Sequence, residues 1–457
     1  MELDPVFLSR VQFGFVVSFH IIFPAFTIGL AAWLATIEGA RLITGNPVYR
    51  RVFDFWLKVF AVSFGMGVVT GIVMAFQFGT NWGVLSERMG AIQGPLLGYE
   101  SYTAFLLEAT FFGVMLLGRE RVSPRFYCFA CCMVSLGTMF SSFWILCNNT
   151  WMQVPLGHTI VGGRIIPADW WAITTGPIMR VRWPHMLVAA FLTTGMSVVA
   201  TGAWHALRGV HRDEARIMLH WGLGLVALLI PLQLFIGHMT GEYVHRHQPE
   251  KFAAIEARWK TQQPASEVLL AIPDPAGERN RFALEIPKLG SFIASGAWDS
   301  REAGLESFPP EDRPPVIIPF FTFRLMVGMG LIMLAVSWWG NVLRWRGRLE
   351  TSRWFLRCAF LSFPTGFIAV LSGWFTAEVG RQPWVVYGLL RTEDAVTPSL
   401  TSGEVLFSLF AYITVYAVFV SFGLYYIYRL LRDGPAGEAR AIPWRHGQAP
   451  PGIRRRG

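Results

Sequence analysis

Residues 373–384 end a long apolar run with a carboxylate at Glu378 and a guanidinium at Arg381. A charge at the centre of a membrane helix costs about 2.5–3.5 kcal/mol on insertion scales, so an ionisable residue in such a run indicates function. Trp374 and Trp384 are also typical of the aromatic belt at a membrane surface, where the charges would only mark the end of a helix. This segment alone leaves both interpretations open.

Glu100 and Glu108 lie eight residues apart in a second apolar run. On an uninterrupted α-helix this spacing is about 12 Å along the axis, with the side chains about 80° apart. Ser141, in the next run, could continue a polar line from them. Two acids in one span predict a proton path or, for the outer acid, a place beside a cofactor. Serine also commonly forms hydrogen bonds between membrane helices without any other role.

His20, His185 and Met326 are candidate metal ligands. Histidine and methionine from two facing helices suit a low-spin, electron-transferring haem, and the predicted topology puts His185 and Met326 at similar depth. Arg324 lies close to Met326 in sequence and could pair with a haem propionate, because arginine is favoured for carboxylate recognition. His20 lies among aromatic and aliphatic residues, where it either hydrogen-bonds to a neighbouring helix or ligates iron.

The elements that would position these residues are membrane helices. The chain has 457 residues, of which 53% are hydrophobic and 15% charged, and its mean hydropathy is +0.42. A soluble domain carries nearer a quarter charged residues, so the composition predicts a membrane protein. Long apolar runs predict an all-α fold, a polytopic transmembrane helical bundle with nine spans. The runs are residues 11–40, 53–79, 95–118, 125–152, 183–207, 216–239, 318–343, 355–377 and 402–429.

The net charge of +9 is a topology signal rather than a sign of nucleic-acid binding. Lysine and arginine concentrate in alternate connections between spans and at the C-terminus. By the positive-inside rule, the N-terminus and the long loop are outside and the C-terminus is cytoplasmic. The chain then divides into helices one to six (1–239), an external loop (240–317), helices seven to nine (318–432) and a disordered basic tail (433–457).

Other classes of protein lack their signatures in this sequence. There is no P-loop, dinucleotide fingerprint or internal repeat. The first apolar run is too long for a cleavable signal peptide and lacks a small-residue cleavage site. Cys128-x-x-Cys131 has no second pair and no nearby histidine, so we expect the five cysteines to pack as small apolar residues without a structural disulfide.

The predicted external loop carries Lys251 and Glu256 in a stretch of helical composition. One interpretation is a solvated connector between two spans. The other is a lid over a substrate at the outer end of the bundle, because long ordered loops are often functional. The sequence does not choose between them on composition alone.

Four short motifs give the chain a resemblance to a known family. They are Ser9-Arg10-x-Gln12-Phe13, FQFGTNW at 76–82, Trp151-Met152-Gln153 and GRQPW at 380–384. Together they make residues 5–430 resemble subunit I of the cytochrome bd-type quinol oxidases. The chain passes from Ile286-Pro287 to the seventh span with little intervening, which is similar to the short quinol-loop branch that includes cyanide-insensitive oxidases.

The resemblance implies three haems. His185 and Met326 match the axial ligands of a low-spin haem b, with Arg324 beside it. A high-spin haem b and a haem d, with haem b replacing haem d in some relatives, would lie near the other matched residues. These are His20, Glu100, Trp374, Glu378 and Arg381.

The resemblance also implies how protons and quinol are handled. Glu108 and Ser141 match a proton-delivery line, and Lys251 and Glu256 match loop residues implicated in quinol oxidation. Quinol would be oxidised at the outer face, and dioxygen reduced to water at a buried di-haem site with cytoplasmic protons and without pumping. Expected partners are subunit II, a small single-span subunit and the lipid of a bacterial inner membrane.

Two alternatives from other functional classes stay open on the sequence. The first is a proton-coupled transporter in which Glu100, Glu108 and Glu378 form a relay and no haem binds. The lack of inverted-repeat symmetry argues against it. The second is a haem-b electron-transfer subunit that does not reduce dioxygen.

Overall fold

The computed structural model describes residues 4–435, and it is predominantly helical. Within these residues, nine helices are long and apolar enough to cross a membrane. Each predicted run falls inside one of them to within a single residue, so the predicted fold class is confirmed. Most of the predicted disordered tail, 433–457, lies outside the described residues.

The helices and strands follow one another in this order along the chain. The helices are α1 (Pro5–Thr44), α2 (Pro47–Thr80), α3 (Gly83–Tyr99), α4 (Leu106–Leu117), α5 (Pro124–Gln153), α6 (Trp170–Thr174), α7 (Pro177–Arg208), α8 (Arg212–His247), α9 (Pro249–Ile255), α10 (Leu289–Ser295), α11 (Ile317–Trp345), α12 (Arg353–Leu361), α13 (Thr365–Val379) and α14 (Ser402–Asp433). The strands are β1 (His158–Val161), β2 (Arg164–Pro167), β3 (Glu267–Asp274), β4 (Arg279–Ile286), β5 (Trp384–Val386) and β6 (Leu390–Arg391).

Capping residues set where several membrane helices begin. The side chains of Asp4, Asn46 and Ser123 accept hydrogen bonds from the first backbone amides of α1, α2 and α5. Each cap is followed by a proline, which lacks the amide hydrogen that a first helical turn leaves unpaired. At the other end of α1, Gly45 adopts φ +67°, a left-handed conformation that glycine reaches without steric cost.

The described membrane helices pack into two groups. In the first, α1 packs on α2 and α5, and α4 packs on α5. In the second, α7, α8, α11 and α13 form a closed bundle in which each helix contacts the next. The groups join where α1 lies against α7, and α14 covers α2 and α1 from the side. Functional residues on α5 and α13 can therefore meet between the groups.

The segment between α8 and α11, residues 248–316, is called the external segment here because it lies outside the membrane-spanning helices. It is folded and fixed to those helices. Helix α9 confirms the helical composition of residues 251–256. Strands β3 and β4 form an antiparallel hairpin in which Leu270 pairs with Leu284. Ala253 and Leu305 pack with Phe320 of α11 in one small hydrophobic core. These contacts exclude the interpretation of this segment as a solvated connector.

Candidate functional site

Glu378 lies at the end of α13 in a group of polar side chains from three helices. Its Oε1 accepts hydrogen bonds from Asn149 Nδ2 at 3.0 Å and Gln153 Nε2 at 3.2 Å, both on α5. Its Oε2 lies 2.5 Å from Arg381 Nη2, and Arg182 Nη2 of α7 lies 3.7 Å from Oε1. A buried carboxylate is tolerated when it is paired and hydrogen-bonded in this way. Glu378 therefore belongs to a polar network between helices rather than to an exposed interface position.

Lys251 connects the folded external segment to this centre. Its Nζ donates to Gln153 Oε1 at 2.8 Å and Gln248 Oε1 at 3.3 Å, and the residue is only 3% exposed. Burial lowers the pKa of Lys251 well below its usual range, and the positive charge of Arg182 adds to the effect. Gln153 thus accepts from Lys251 and donates to Glu378, joining α9 to α13 through one side chain.

The GRQPW motif supplies space and two unpartnered guanidinium nitrogens at the same point. A Cβ atom at Gly380 would lie 3.1 Å from Lys251 Cγ and 2.6 Å from the Thr376 carbonyl oxygen, so only glycine fits against the lysine. Arg381 is buried, and its Nε and Nη1 have no hydrogen-bond partner within residues 4–435. Two unpartnered nitrogens on a buried guanidinium suit an acidic group such as a propionate.

Glu256 and Glu267 share one arginine beneath the β3–β4 hairpin. Arg324 Nη2 lies 3.1 Å from Glu256 Oε2 and 3.9 Å from Glu267 Oε1. The two carboxyls are hydrogen-bonded to each other. Burial and, to a lesser extent, the charge of Glu256 together raise the pKa of Glu267 to about 8. The pair therefore holds a proton near neutral pH.

Arg324 makes most of its described contacts with the external segment. Its guanidinium donates to the carbonyls of Val268 and Ile255 and to that of Phe320 one turn earlier on α11. It also lies 3.6 Å above the Phe320 ring. The side chain predicted to meet a haem propionate is thus turned toward Glu256 here, and it fastens the external segment to α11.

Glu100 and Glu108 both face α5, because the helix that carries them is not uniform. A π-helical turn at Glu100–Phe105 separates α3 from α4. Ser141 Oγ donates to Glu100 Oε1 at 2.9 Å, and a Cβ atom at Gly137 would lie 2.6 Å from Glu108 Cγ. Gly137 and Ser141 lie four residues apart and share one face of α5, so both acids contact that face, and the uninterrupted helix assumed for the 80° separation is absent. The π-helical turn brings both to the same neighbour.

His20 is held in one tautomer by a hydroxyl on α2. Its Nδ1 lies 3.0 Å from Thr70 Oγ1, and that hydroxyl donates to the Met66 carbonyl at 2.9 Å. Thr70 therefore accepts from Nδ1–H, which leaves the lone pair on Nε2. A Cβ atom at Gly71 would lie 3.1 Å from His20 Cε1, so glycine makes room for the ring. The imidazole is prepared to act as a ligand through Nε2.

His185 and Met326 lie on helices of the closed bundle, each opposite a glycine. A Cβ atom at Gly237 of α8 would lie 3.2 Å from His185 Cε1, and one at Gly373 of α13 would lie 2.8 Å from Met326 Sδ. His185 Nδ1 is buried without a partner in the described part of the chain. His185 Nε2 lies 3.4 Å from Gln233 Nε2. Each of these two side chains thus packs against a glycine that leaves room for it.

Comparison with known proteins supplies the family. The family model described as cytochrome bd terminal oxidase subunit I matches residues 8–435. The chain is 34% identical to cytochrome bd ubiquinol oxidase subunit 1 of Bacillus subtilis over 447 residues, covering 94% of each chain.

The chain belongs to the cytochrome bd terminal oxidase subunit I family.

Further comparisons agree with this family. The chain is 32% identical to cytochrome bd-II ubiquinol oxidase subunit 1 of Escherichia coli over 510 residues, with 96% of this chain and 99% of that one covered. The solved structure of bd oxidase from Geobacillus thermodenitrificans superimposes with a TM-score of 0.87 at 26% identity, covering 94% of this chain and 99% of that one. The resemblance noted in the motifs is confirmed, and a family of terminal oxidases contradicts the transporter alternative.

Cytochrome bd oxidases carry haem, and the residues of this subunit I chain fit such groups. The imidazole of His20 with a lone pair on Nε2, the unpartnered nitrogen of His185 and the thioether of Met326 are the donors that haem iron accepts. The unpaired nitrogens of Arg381 suit an acidic side group. Trp374 lies half-buried one turn before Glu378, with its ring edge-on to Phe375 at 5.1 Å.

Several site residues were missed by the sequence analysis. Gln153 belongs to the Trp151-Met152-Gln153 motif, but its hydrogen bonds to both Lys251 and Glu378 could be found only from the folded chain. Arg182 stands one residue before Trp183 at the start of a predicted span, where it reads as an interface charge. Glu267 lies in a strand with no motif around it, so no sequence signal could have paired it with Glu256.

Proposed function

We propose that this chain is the haem-carrying subunit I of a quinol:dioxygen oxidoreductase. It would oxidise quinol at the outer face of a bacterial inner membrane and reduce dioxygen to water at a buried di-haem site. Family membership supports the oxidase, and the names of the matched relatives support ubiquinol or a similar quinol as the donor. The observation that carries the proposal is the link from Lys251 through Gln153 to Glu378.

Quinol oxidation would use the Lys251 amine as a proton acceptor. A neutral amine has two hydrogens, and here they are directed to the oxygens of Gln153 and Gln248. Its lone pair is then free to accept a hydrogen bond from a quinol hydroxyl. The lowered pKa of Lys251 favours the neutral amine. Glu256, on the same short segment, would bind the quinol close to Lys251.

The haems would be held by the donors that fit them. His185 and Met326 would bind a low-spin haem b, and His20, Glu100 and Glu378 would surround a high-spin haem b and a haem d, or a haem b in its place. When bound, these groups supply one-electron acceptors for quinol and an iron at which dioxygen is reduced. Trp374 would lie between the haems, and Arg381 would neutralise an acidic side group.

Protons for dioxygen reduction would pass along α5. Glu108 would hold a proton from the cytoplasmic side, and Ser141 would pass it to Glu100 through the hydrogen bond between them. Gly137 lets Glu108 approach α5 closely. Taking protons from one side and releasing quinol protons on the other creates a membrane potential without pumping.

The oxidase would work with a second subunit in a defined orientation. Subunit II is the expected partner, since the matched relatives are numbered subunits of a larger oxidase. The N-terminus and the segment between α8 and α11 would face outward, and the C-terminus would face the cytoplasm. A small single-span subunit would complete the complex.

A reduced-minus-oxidised spectrum of the purified complex, with oxygen uptake on added quinol, tests this function. We expect b-type bands, a chlorin band in the red if haem d is present, and quinol-dependent uptake. A b-type spectrum without oxygen uptake would support the electron-transfer alternative instead. A complex without haem bands would contradict the proposal.

A further inference from the structure

Glu267 is the acid on the external segment to which the proposed function gives no role. It lies at the start of β3, with a side chain 12% exposed, beside the deeper Glu256 at 6%. The carboxyls are hydrogen-bonded, and one guanidinium, that of Arg324, lies within 3.9 Å of both. Two carboxyls in contact repel each other when both are ionised, so such a pair favours the state in which they share one proton.

Charged groups from several elements lie around the pair. Arg324 reaches it from α11, and Arg258 follows α9 with its charge directed at Glu267. Arg258 is 4% exposed, and both of its Nη atoms lack hydrogen-bond partners within residues 4–435. Farther out, His245 Nε2 binds Glu302 Oε2 at 2.8 Å. The pair is thus surrounded by charges at a point where a proton can be stored.

We propose that Glu256 and Glu267 form a proton-sharing pair that accepts quinol protons and releases them to the outer water, with Glu267 as the releasing member. The inference rests on the proposed quinol site at Lys251 and Glu256. Exposure sets the direction, because Glu267 is nearer to solvent than Glu256. Glu267 acts through Glu256 and is therefore a relay residue.

The relay conserves atoms and charge. A quinol that becomes a quinone loses two electrons and two protons, and the electrons finally reduce dioxygen, the oxidant of the family reaction. Each proton leaves when a quinol O–H bond breaks and an N–H bond forms on the Lys251 amine; that N–H bond then breaks as an O–H bond forms on Glu256. The shared proton moves onto Glu267, whose O–H bond then breaks as water takes the proton. Arg324 stabilises the singly ionised pair from which each proton uptake starts and to which each release returns.

The pH dependence of quinol oxidation tests the role of Glu267. The pKa of Glu267 lies above the usual carboxyl range, so the pair loses its shared proton as the pH rises through the slightly alkaline region. A fully ionised pair accepts both quinol protons, so the rate should rise there in the unmodified complex. Glu267→Gln should remove this rise and slow quinol oxidation about tenfold, while Glu267→Asp should retain it.

Control variants separate this inference from the proposed function. Glu285→Gln changes an exposed acid of the same hairpin, whose side chain accepts a hydrogen bond from Ser266 Oγ at 2.6 Å. It should leave the rate of quinol oxidation and its pH profile unchanged. Oxygen uptake with an artificial donor should continue in every variant. If Glu267→Gln keeps the normal alkaline rise in the rate of quinol oxidation while Lys251→Ala is inactive toward quinol, the relay is overturned and the quinol site is not. Full quinol oxidation in Lys251→Ala would overturn the quinol site itself.

Discussion

Lys251 and Glu378 are bound by opposite ends of the same amide. Gln153 Oε1 accepts from Lys251 Nζ at 2.8 Å, and Gln153 Nε2 donates to Glu378 Oε1 at 3.2 Å. A lysine of the external segment and a carboxylate at the end of a membrane helix are thereby held in one network. This network places the proposed site of quinol oxidation next to the proposed haem region.

Gln153→Ala should uncouple these two regions. It leaves Lys251 and Glu378 each short of a hydrogen bond, and an unpaired buried polar group costs about 1–3 kcal/mol. We expect quinol oxidation to slow about tenfold. Gln263→Ala is the control, because that side chain is exposed and bonds only to the Asp299 carbonyl. Quinol kinetics identical in both variants would show that the bridge is dispensable.

Lys251→Ala should weaken quinol oxidation on the order of 100-fold, because a general base is lost. Uptake with an artificial donor should be unaffected. In the unmodified complex the rate should fall at acidic pH, because protonation of an amine with a lowered pKa removes its lone pair. Lys260→Ala, at an exposed position, is the matched control. If both donors slow equally after Lys251→Ala, the segment is not the quinol site.

His185→Ala should remove the low-spin haem signal and quinol oxidation together. The imidazole lies against Gly237, and its truncation to alanine removes both ring nitrogens that could ligate iron. His238→Ala changes a half-exposed histidine of α8 and should preserve the spectrum. The measurement is a reduced-minus-oxidised spectrum, and an intact low-spin band in His185→Ala would disprove the ligand assignment.

Glu108→Gln should slow dioxygen reduction at least tenfold while the haems stay bound, because proton delivery is lost but the volume is preserved. Oxygen uptake and the absorbance spectrum measure the two effects separately. Glu120→Gln, at an exposed turn beyond α4, is expected to behave as the unmodified protein. Unchanged turnover in Glu108→Gln would remove the residue from the proton path.

The sequence by itself determined the fold class and the positions of the membrane helices. The length and polarity of an apolar run are local properties, so nine spans could be located before any contact was known, and the described residues contain nine. The four short motifs were sufficient to predict the family, and the comparison with known proteins confirmed that prediction.

Only the tertiary structure decided how the site is connected. Gln153 meets Lys251 across 98 positions of the chain and Glu378 across 225, and no local pattern encodes such a pairing. The π-helical turn at Glu100–Phe105 rotated one acid relative to the other, which regular periodicity cannot anticipate. Arg324 faces Glu256 and Glu267 because the external segment folds back onto α11. Contacts between distant segments depend on how helices pack, and packing is a property of the whole chain.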